Sequence, residues 1–134
     1  MSVGRRNKQA GSSWERELAS IFRDIGFTDV ITTRQGSREL DALKIDLMNS
    51  NTSKEGRLSY NIQAKCVKGH LPYAKVIGEL PKEEGITNVV CHKMTVKKNN
   101  RFIEQDRFAI LYLEDFFKLI KKLKEYEKST PINS

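Results

Sequence analysis

The sequence predicts a single α/β domain in which a central mixed β-sheet is flanked by helices. Amphipathic helical segments lie near both ends of the chain, and short runs of alternating or β-branched residues lie between them. The predicted order of elements is α-β-β-β-α-β-β-α, without an internal repeat or linker. A chain of 134 residues is long enough for one hydrophobic core of this kind.

The first helix is predicted to begin at Ser12 or Ser13 and to end at Ile25. Apolar residues recur there at helical spacing, and Gly26 is a good terminator. The basic residues 1–11 precede this pattern and are predicted to form a flexible arm.

The last helix is predicted over residues 114–128, which have an amphipathic period. The residues predicted to face inward are Phe116, Phe117, Ile120 and Leu123. Residues 129–134 are expected to fray, so the folded domain is predicted to cover residues 12–128.

Five strands are predicted from β-branched or alternating segments. They cover residues 27–33, 42–48, 58–67, 87–96 and 107–113. A helix over residues 73–83 follows the third strand, and a basic loop over residues 97–106 follows the fourth. In the third strand one face carries Tyr60, Ile62, Ala64 and Cys66, and the other carries Asn61, Gln63 and Lys65.

The net charge of +7 favours a polyanionic partner, although basic surfaces also serve solubility alone. The chain contains no apolar run of membrane-spanning length and no secretory signal pattern, so a cytoplasmic location is expected. Its two cysteines, Cys66 and Cys91, make neither a disulfide framework nor a zinc site and are expected to be buried or half-buried thiols.

Polar functional groups occur at three places where the packing of an α/β domain does not require them. Glu15 lies in the predicted first turn of the first helix, Asp46 lies in an otherwise apolar strand, and Gln63 and Lys65 share one face of the next strand. If these two strands form a hairpin, Asp46 lies beside Gln63. Phosphodiester hydrolysis needs a hard cation with oxygen ligands, a nucleophilic water and a positive group, which this set can provide.

Each of these residues also has a structural interpretation. Glu15 fits a capping box with the serines before it, where it would only satisfy a backbone N–H. Asp46 could protect an edge strand, and Gln63 and Lys65 could lie on a solvated face. The structural interpretation is favoured for each residue alone, whereas the combination of Glu, Asp and Gln-x-Lys on helix, strand and strand favours a metal site.

Three motifs between residues 11 and 66 carry a further signal. They are Gly11-Ser12-Ser13-Trp14-Glu15-Arg16-Glu17-Leu18 with a helix ending at Gly26-Phe27, then Gly36-Ser37-Arg38 followed by Lys44-Ile45-Asp46-Leu47, and finally Ile62-Gln63-Ala64-Lys65. Their order and spacing resemble the archaeal-type Holliday junction resolvases of the PD-(D/E)xK nuclease superfamily, and they are also similar to small resolvase-like nucleases of bacteriophages. Ile45 stands where that family carries proline, and Gln63 stands where it carries glutamate.

The resemblance implies a restriction-endonuclease-like fold and a homodimer whose two sites cut symmetry-related strands of a four-way DNA junction. It implies Mg²⁺ as cofactor, with Mn²⁺ able to substitute, and neither a small-molecule cofactor nor a membrane partner. The implied catalytic residues are Glu15, Ser37, Asp46, Gln63 and Lys65. Contacts to DNA are expected from Arg5, Arg6, Lys8, Arg34, Arg38, Lys68, Lys93, Lys97 and Lys98. If a bacteriophage encodes the protein, the expected location is the host cytoplasm.

The expected metal ligands are Glu15, Asp46, Gln63 and Asp41. Gln63 removes one negative charge from the family pattern and so should weaken binding of a cation. Asp41 and Glu39 precede the Asp46 strand and could restore that charge, although solvation of a loop explains them equally well.

Two other functions remain open at this point. The protein could be another PD-(D/E)xK nuclease that acts on DNA ends, flaps or restriction-type sites. It could also be a non-catalytic DNA-binding protein with a decayed nuclease fold, which Gln63 favours.

Overall fold

The computed structural model describes residues 3–50 and 58–129, with side chains described from residue 9 onward. The helices in these ranges are α1 (Val3–Asp24), α2 (Thr33–Gly36), α3 (Arg38–Ala42), α4 (Tyr73–Gly78) and α5 (Leu113–Ser129). The strands are β1 (Val30–Thr32), β2 (Leu47–Asn49), β3 (Tyr60–Lys68), β4 (Thr87–Lys98) and β5 (Arg101–Ile110). None of the described helices is long and apolar enough to cross a membrane.

Helix α1 begins well before its predicted start at Ser12 or Ser13. Residues 3–11 are helical, so the prediction of a flexible arm over residues 1–11 is wrong from Val3 onward. Gly11 lies inside the helix, where a glycine costs only about 1 kcal/mol relative to alanine and does not interrupt a longer helix.

The strands form two sheets. β3 pairs in parallel with β4, and β4 pairs antiparallel with β5, which makes a mixed three-stranded sheet. β1 and β2 form a separate antiparallel pair. A single α/β domain with a mixed sheet and flanking helices is therefore confirmed.

The segment before Asp46 differs from the predicted strand over residues 42–48. The chain forms α3 and then turns at Lys44, whose φ of 69° is left-handed, so the extended conformation begins only at Leu47. Strand β2 pairs with β1 rather than forming the expected hairpin with β3. Part of the neighbouring polar stretch, residues 51–57, lies outside the described residues.

The predicted basic loop over residues 97–106 is wrong. β4 continues to Lys98, and β5 begins at Arg101. The two residues between them, Asn99 and Asn100, have φ values of 50° and 61°, which asparagine tolerates in the two-residue turn of a β-hairpin. Of the predicted strand over residues 107–113, only residues 107–110 are extended, as the end of β5, and Leu113 already begins α5.

Two apolar clusters cover the two faces of the β3–β4 pair. One lies under α1 and includes Trp14, Leu18 and Ile62, and the β3 face predicted to be apolar packs against it. The other includes Ile45, Val76, Ile77 and Val90 and lies under α4. Helix α4 ends at Gly78 rather than at residue 83, since Pro81 cannot continue a helix.

The indole of Trp14 ties α1 to β4 and β5. Its Nε1 donates a hydrogen bond to the carbonyl oxygen of Cys91 at 3.0 Å. Lys93 and Arg107 lie over the ring at 5.3 and 5.1 Å from its centroid, and both also pair with Glu17 of α1. Cys91 is a free, partly buried thiol, as is Cys66, and burial raises the pKa of Cys91 to about 11.

Helix α5 agrees with the predicted helix over residues 114–128, but its orientation does not. None of its described residues is buried. The residues predicted to face inward are exposed: Phe116 by 45%, Phe117 by 58%, Ile120 by 47% and Leu123 by 54%. Amphipathic periodicity identifies an apolar face but does not identify what covers it. Of the predicted frayed tail, Ser129 belongs to α5 and residues 130–134 lie outside the described residues.

Candidate metal centre

Three carboxylates from different parts of the chain meet at one point. Glu15 comes from α1, Asp41 from α3, and Asp46 from the residue before β2, and one oxygen of each lies within 4.8 Å of the others. They line a cavity of about 260 Å³. The other residues that line it are Gly11, Arg34, Lys44, Gln63, Ala64 and Lys65. The cavity thus joins all the predicted metal ligands with Lys65.

Asp46 is held by strand β3 and by the first residue of helix α2. Its backbone N–H donates to the carbonyl of Ile62 at 2.8 Å, and its own carbonyl accepts from the N–H of Thr33 at 2.9 Å. Its Oδ2 accepts a hydrogen bond from the N–H of Ala64 at 2.7 Å. Asp46 therefore lies beside Gln63, as the sequence predicted, although no hairpin between β2 and β3 brings it there.

Glu15 lies inside a long helix rather than at its start. Because α1 begins at Val3, the backbone N–H groups near Ser12 are not the free donors of a helix terminus, and the capping-box interpretation is wrong. The side chain of Glu15 is only 3% exposed, and its Oε2 accepts a hydrogen bond from Nε of Arg34 at 2.6 Å. A buried carboxylate of this kind requires a cationic or hydrogen-bonding partner.

Besides the carboxylate cluster, the burial of Gln63 also points to a bound metal ion. It is 2% exposed, which excludes the solvated face as an explanation for it. Its Oε1 is buried and has no hydrogen-bond partner within the described part of the chain. An unsatisfied buried acceptor costs about 1–3 kcal/mol, so this oxygen, on a residue that lines the same cavity as the three carboxylates, is a candidate ligand. Lys65 lies two residues further along the same face and is partly buried.

The pKa of Asp46 is raised to about 7; burial is the largest cause, and nearby Glu15 and Asp41 contribute to the rise against the opposing effect of the Ala64 N–H. Glu15 also shares a hydrogen bond with Asp46. Converging carboxylates repel one another when ionised, and a cation bound between them removes that repulsion. Three carboxylates and an amide oxygen are the hard ligands that Mg²⁺ and Mn²⁺ prefer, so the residues fit such an ion.

Ser37, which was expected to be catalytic, does not line the cavity. Its side-chain oxygen accepts a hydrogen bond from the N–H of Leu40 at 3.2 Å, so it caps the start of α3. Because α3 carries Asp41, this contact helps to position a carboxylate of the site. Glu39, the other candidate on that helix, does not line the cavity either.

The residues expected to contact DNA are distributed differently. Arg38, Lys68, Lys97 and Lys98 are exposed, and the last two lie at the end of the β4–β5 hairpin. Arg34 lines the cavity itself. The side chains of Arg5, Arg6 and Lys8 lie outside those described.

Lys93 is already engaged within the protein. Its Nζ lies 3.1 Å from Glu17 and 3.5 Å from Glu104, so two carboxylates compensate its charge. Sequence reasoning missed Lys44, which lines the cavity from a left-handed backbone conformation. Its position two residues before Asp46 was the one available signal.

Comparisons of the chain with protein-family models, with curated proteins and with solved structures gave no significant match.

Proposed function

We propose that the protein is a metal-dependent endonuclease that resolves four-way DNA junctions by phosphodiester hydrolysis. The observation that carries the proposal is the meeting of Glu15, Asp41 and Asp46 with Gln63 and Lys65 in one cavity, where the Gln63 amide oxygen has no hydrogen-bond partner among the described residues. The proposal includes a restriction-endonuclease-like fold, in which helix α1 supplies Glu, the residue before β2 supplies Asp and β3 supplies Gln-x-Lys.

In this proposal Glu15, Asp41, Asp46 and Gln63 hold Mg²⁺, or Mn²⁺ in its place. Such an ion would supply Lewis-acid chemistry, polarising the phosphate and making water at the site more acidic. Lys65 places a positive charge at the same cavity, where it stabilises negative charge that develops on the phosphate. The Ala64 N–H keeps the Asp46 carboxylate oriented during the reaction.

Recognition of DNA would rest on charge and shape. The net charge of +7 and the exposed side chains of Arg38, Lys68, Lys97 and Lys98 suit the sugar–phosphate backbone rather than base edges. The ion pairs of Lys93 give it a role in holding α1 against the β4–β5 hairpin.

Binding and cleavage of a labelled four-way junction, a flap and a linear duplex test the proposal. With Mg²⁺ we expect paired incisions in the junction and much slower cutting of the other two DNAs, and EDTA should stop cleavage. Binding should weaken steeply as salt rises, because phosphate contacts release counterions. Faster cutting of the flap or duplex would indicate another type of nuclease, and binding without any metal-dependent cleavage would indicate a decayed one.

The proposal includes a homodimer, because two paired incisions need two sites related by symmetry. We assign the interface to the α5 surface, defined as the exposed residues Leu113, Phe116, Phe117, Ile120 and Leu123. The first turn of α5 is acidic, with Glu114 and Asp115, whereas later turns carry Lys121, Lys122 and Lys124. Two copies of α5 in antiparallel contact would set the acidic turn of each against the lysines of the other.

Replacing two apolar residues of α5, Phe117→Ser with Ile120→Ser, should convert the dimer to a monomer in sedimentation equilibrium. Paired incision of a junction should then become independent nicking. Glu125→Ser, which also introduces a serine into α5 but outside the α5 surface, is the matched control and should stay dimeric. A wild-type protein that is monomeric at concentrations of tens of micromolar, or a double variant that remains dimeric, would remove this interface.

A further inference from the structure

Arg34 lies between the buried Glu15 carboxylate and the solvent. Its Nε donates to Oε2 of Glu15 at 2.6 Å, and the two side chains differ strongly in exposure, 44% for Arg34 and 3% for Glu15. Arg34 also lines the cavity that holds Asp46 and Gln63. The guanidinium therefore compensates a carboxylate of the site while part of the same side chain stays accessible from outside.

The backbone next to Arg34 is firmly anchored. Thr33 is 1% exposed, its N–H donates to the carbonyl of Asp46 at 2.9 Å, and its Oγ1 donates to the carbonyl of Ile45 at 2.7 Å. On the other side, a Cβ on Gly36 would lie 2.6 Å from Sδ of Met48, so α2 packs closely on β2. A long, half-exposed side chain thus extends from a fixed point beside the site.

We propose that Arg34 is an internal counter-ion for Glu15 that is released to the DNA phosphate when the divalent cation binds. The inference rests on the proposed metal site. A divalent cation among the three carboxylates takes over the compensation of Glu15 and repels the guanidinium. A phosphate is then the preferred partner of Arg34, because the planar guanidinium can donate two hydrogen bonds to it.

This exchange couples the binding of metal and of DNA. Arg34 is available to DNA only when the metal is bound, so each ligand strengthens binding of the other by the same factor. Arg34 pairs with Glu15 in the metal-free protein and with the phosphate in the complex with metal and DNA. A residue that only braced the fold would affect both states alike.

The test measures the affinity of wild type and of Arg34→Met for the junction, in EDTA and in Ca²⁺. Gels run on the same samples check that the DNA is not cut. In EDTA the two proteins should bind with affinities within about twofold of each other, whereas in Ca²⁺ the variant should bind about tenfold more weakly, within the usual range of coupling between sites. Calorimetry without DNA should show that Arg34→Met binds Ca²⁺ more tightly than wild type, because a competing cation is gone. Arg34→Lys, which keeps the charge but not the two-pronged geometry, should fall between them in Ca²⁺.

Lys44→Met is the matched control, since it removes another positive charge that lines the same cavity. It should weaken DNA binding by the same factor in EDTA and in Ca²⁺. Suppose that the wild-type protein binds Ca²⁺ and cleaves with Mg²⁺. If Arg34→Met then loses the same factor of DNA affinity in EDTA and in Ca²⁺, the proposed role of Arg34 is overturned and the nuclease proposal stays intact. A wild-type protein that binds no divalent cation would overturn both.

Discussion

Asp46→Asn is expected to lower the single-turnover rate of junction cleavage by about a thousandfold or more, the scale of losing a few kcal/mol of transition-state stabilisation. Asparagine keeps a side-chain oxygen that can accept from the N–H of Ala64, so the local structure should survive. It removes the charge at the centre of the carboxylate cluster. Junction affinity in EDTA should stay near the wild-type value, since Asp46 is not part of the basic surface.

The same variant has a signature in stability that controls for misfolding. The pKa of Asp46 is raised from 3.8 to about 7 by burial and by its carboxylate neighbours. Between these values the native state holds a proton that the unfolded state has lost, so the stability contributed by protonated Asp46 is fully present below about pH 4 and is lost as the pH rises to about 7.

Without metal, Asp46→Asn should therefore melt several degrees above wild type at about pH 8, and this lead should vanish towards about pH 4. Added Mg²⁺ should raise the melting temperature of wild type far more than that of the variant. If the variant loses cleavage but melts below wild type at both pH values, the substitution damages the fold. The lower rate would then not support Asp46 as a metal ligand.

The second large effect concerns Asp41, which supplies the third carboxylate of the proposed metal site. Asp41→Asn should weaken Mg²⁺ binding about tenfold or more, because removing a charged ligand costs on the order of 1.4 kcal/mol or more. Gln63→Glu in the same chain should restore most of that loss, since residue 63 faces the same cavity and a glutamate there replaces the missing carboxylate. Titration calorimetry with Mg²⁺ and cleavage rates measure both steps.

Glu39→Gln is the control for this exchange. It removes a carboxylate from the same helix, α3, but from a residue that does not line the cavity. Metal affinity should hardly change. If Asp41→Asn also binds Mg²⁺ like wild type, the ion is held without Asp41, and Gln63→Glu has no loss to restore.

The parts of this site that the sequence predicted are those that depend on local periodicity. The two-residue period of β3 placed Ile62 in the core and Gln63 on the opposite face, because alternation in a strand is exact over a few residues. The helical period of α1 likewise placed Trp14 and Leu18 in the core.

The path that brings Asp46 to Gln63 depends on contacts distant in sequence. The pairing of β2 with β1, the turn at Lys44 and the contact of Asp46 with Ile62 are set by tertiary packing, which residue patterns do not encode. The early start of α1, which removes the capping role of Glu15, was missed for a related reason. A local capping motif looked complete because the helical residues before Ser12 carry no clear apolar period.

Charge patterns misled in the second half of the chain. The basic residues around Lys97 and Arg101 predicted a loop, but they belong to an exposed hairpin, which accepts charged side chains on both faces. In α5 the apolar period was correct, but a face can be covered by the same chain or by another one, and the pattern is identical in both cases.

The placement of Trp14 gives the protein a built-in optical reporter. It is the only tryptophan of the chain, so all indole emission comes from one side chain. That side chain is 3% exposed, is bonded to the backbone of β4 and precedes Glu15 directly on α1. Emission should shift to longer wavelength when α1 separates from the sheet and water reaches the ring. Stopped-flow fluorescence of the unlabelled protein would thus follow the packing of α1 against the sheet, and with it the placement of Glu15 in the cavity.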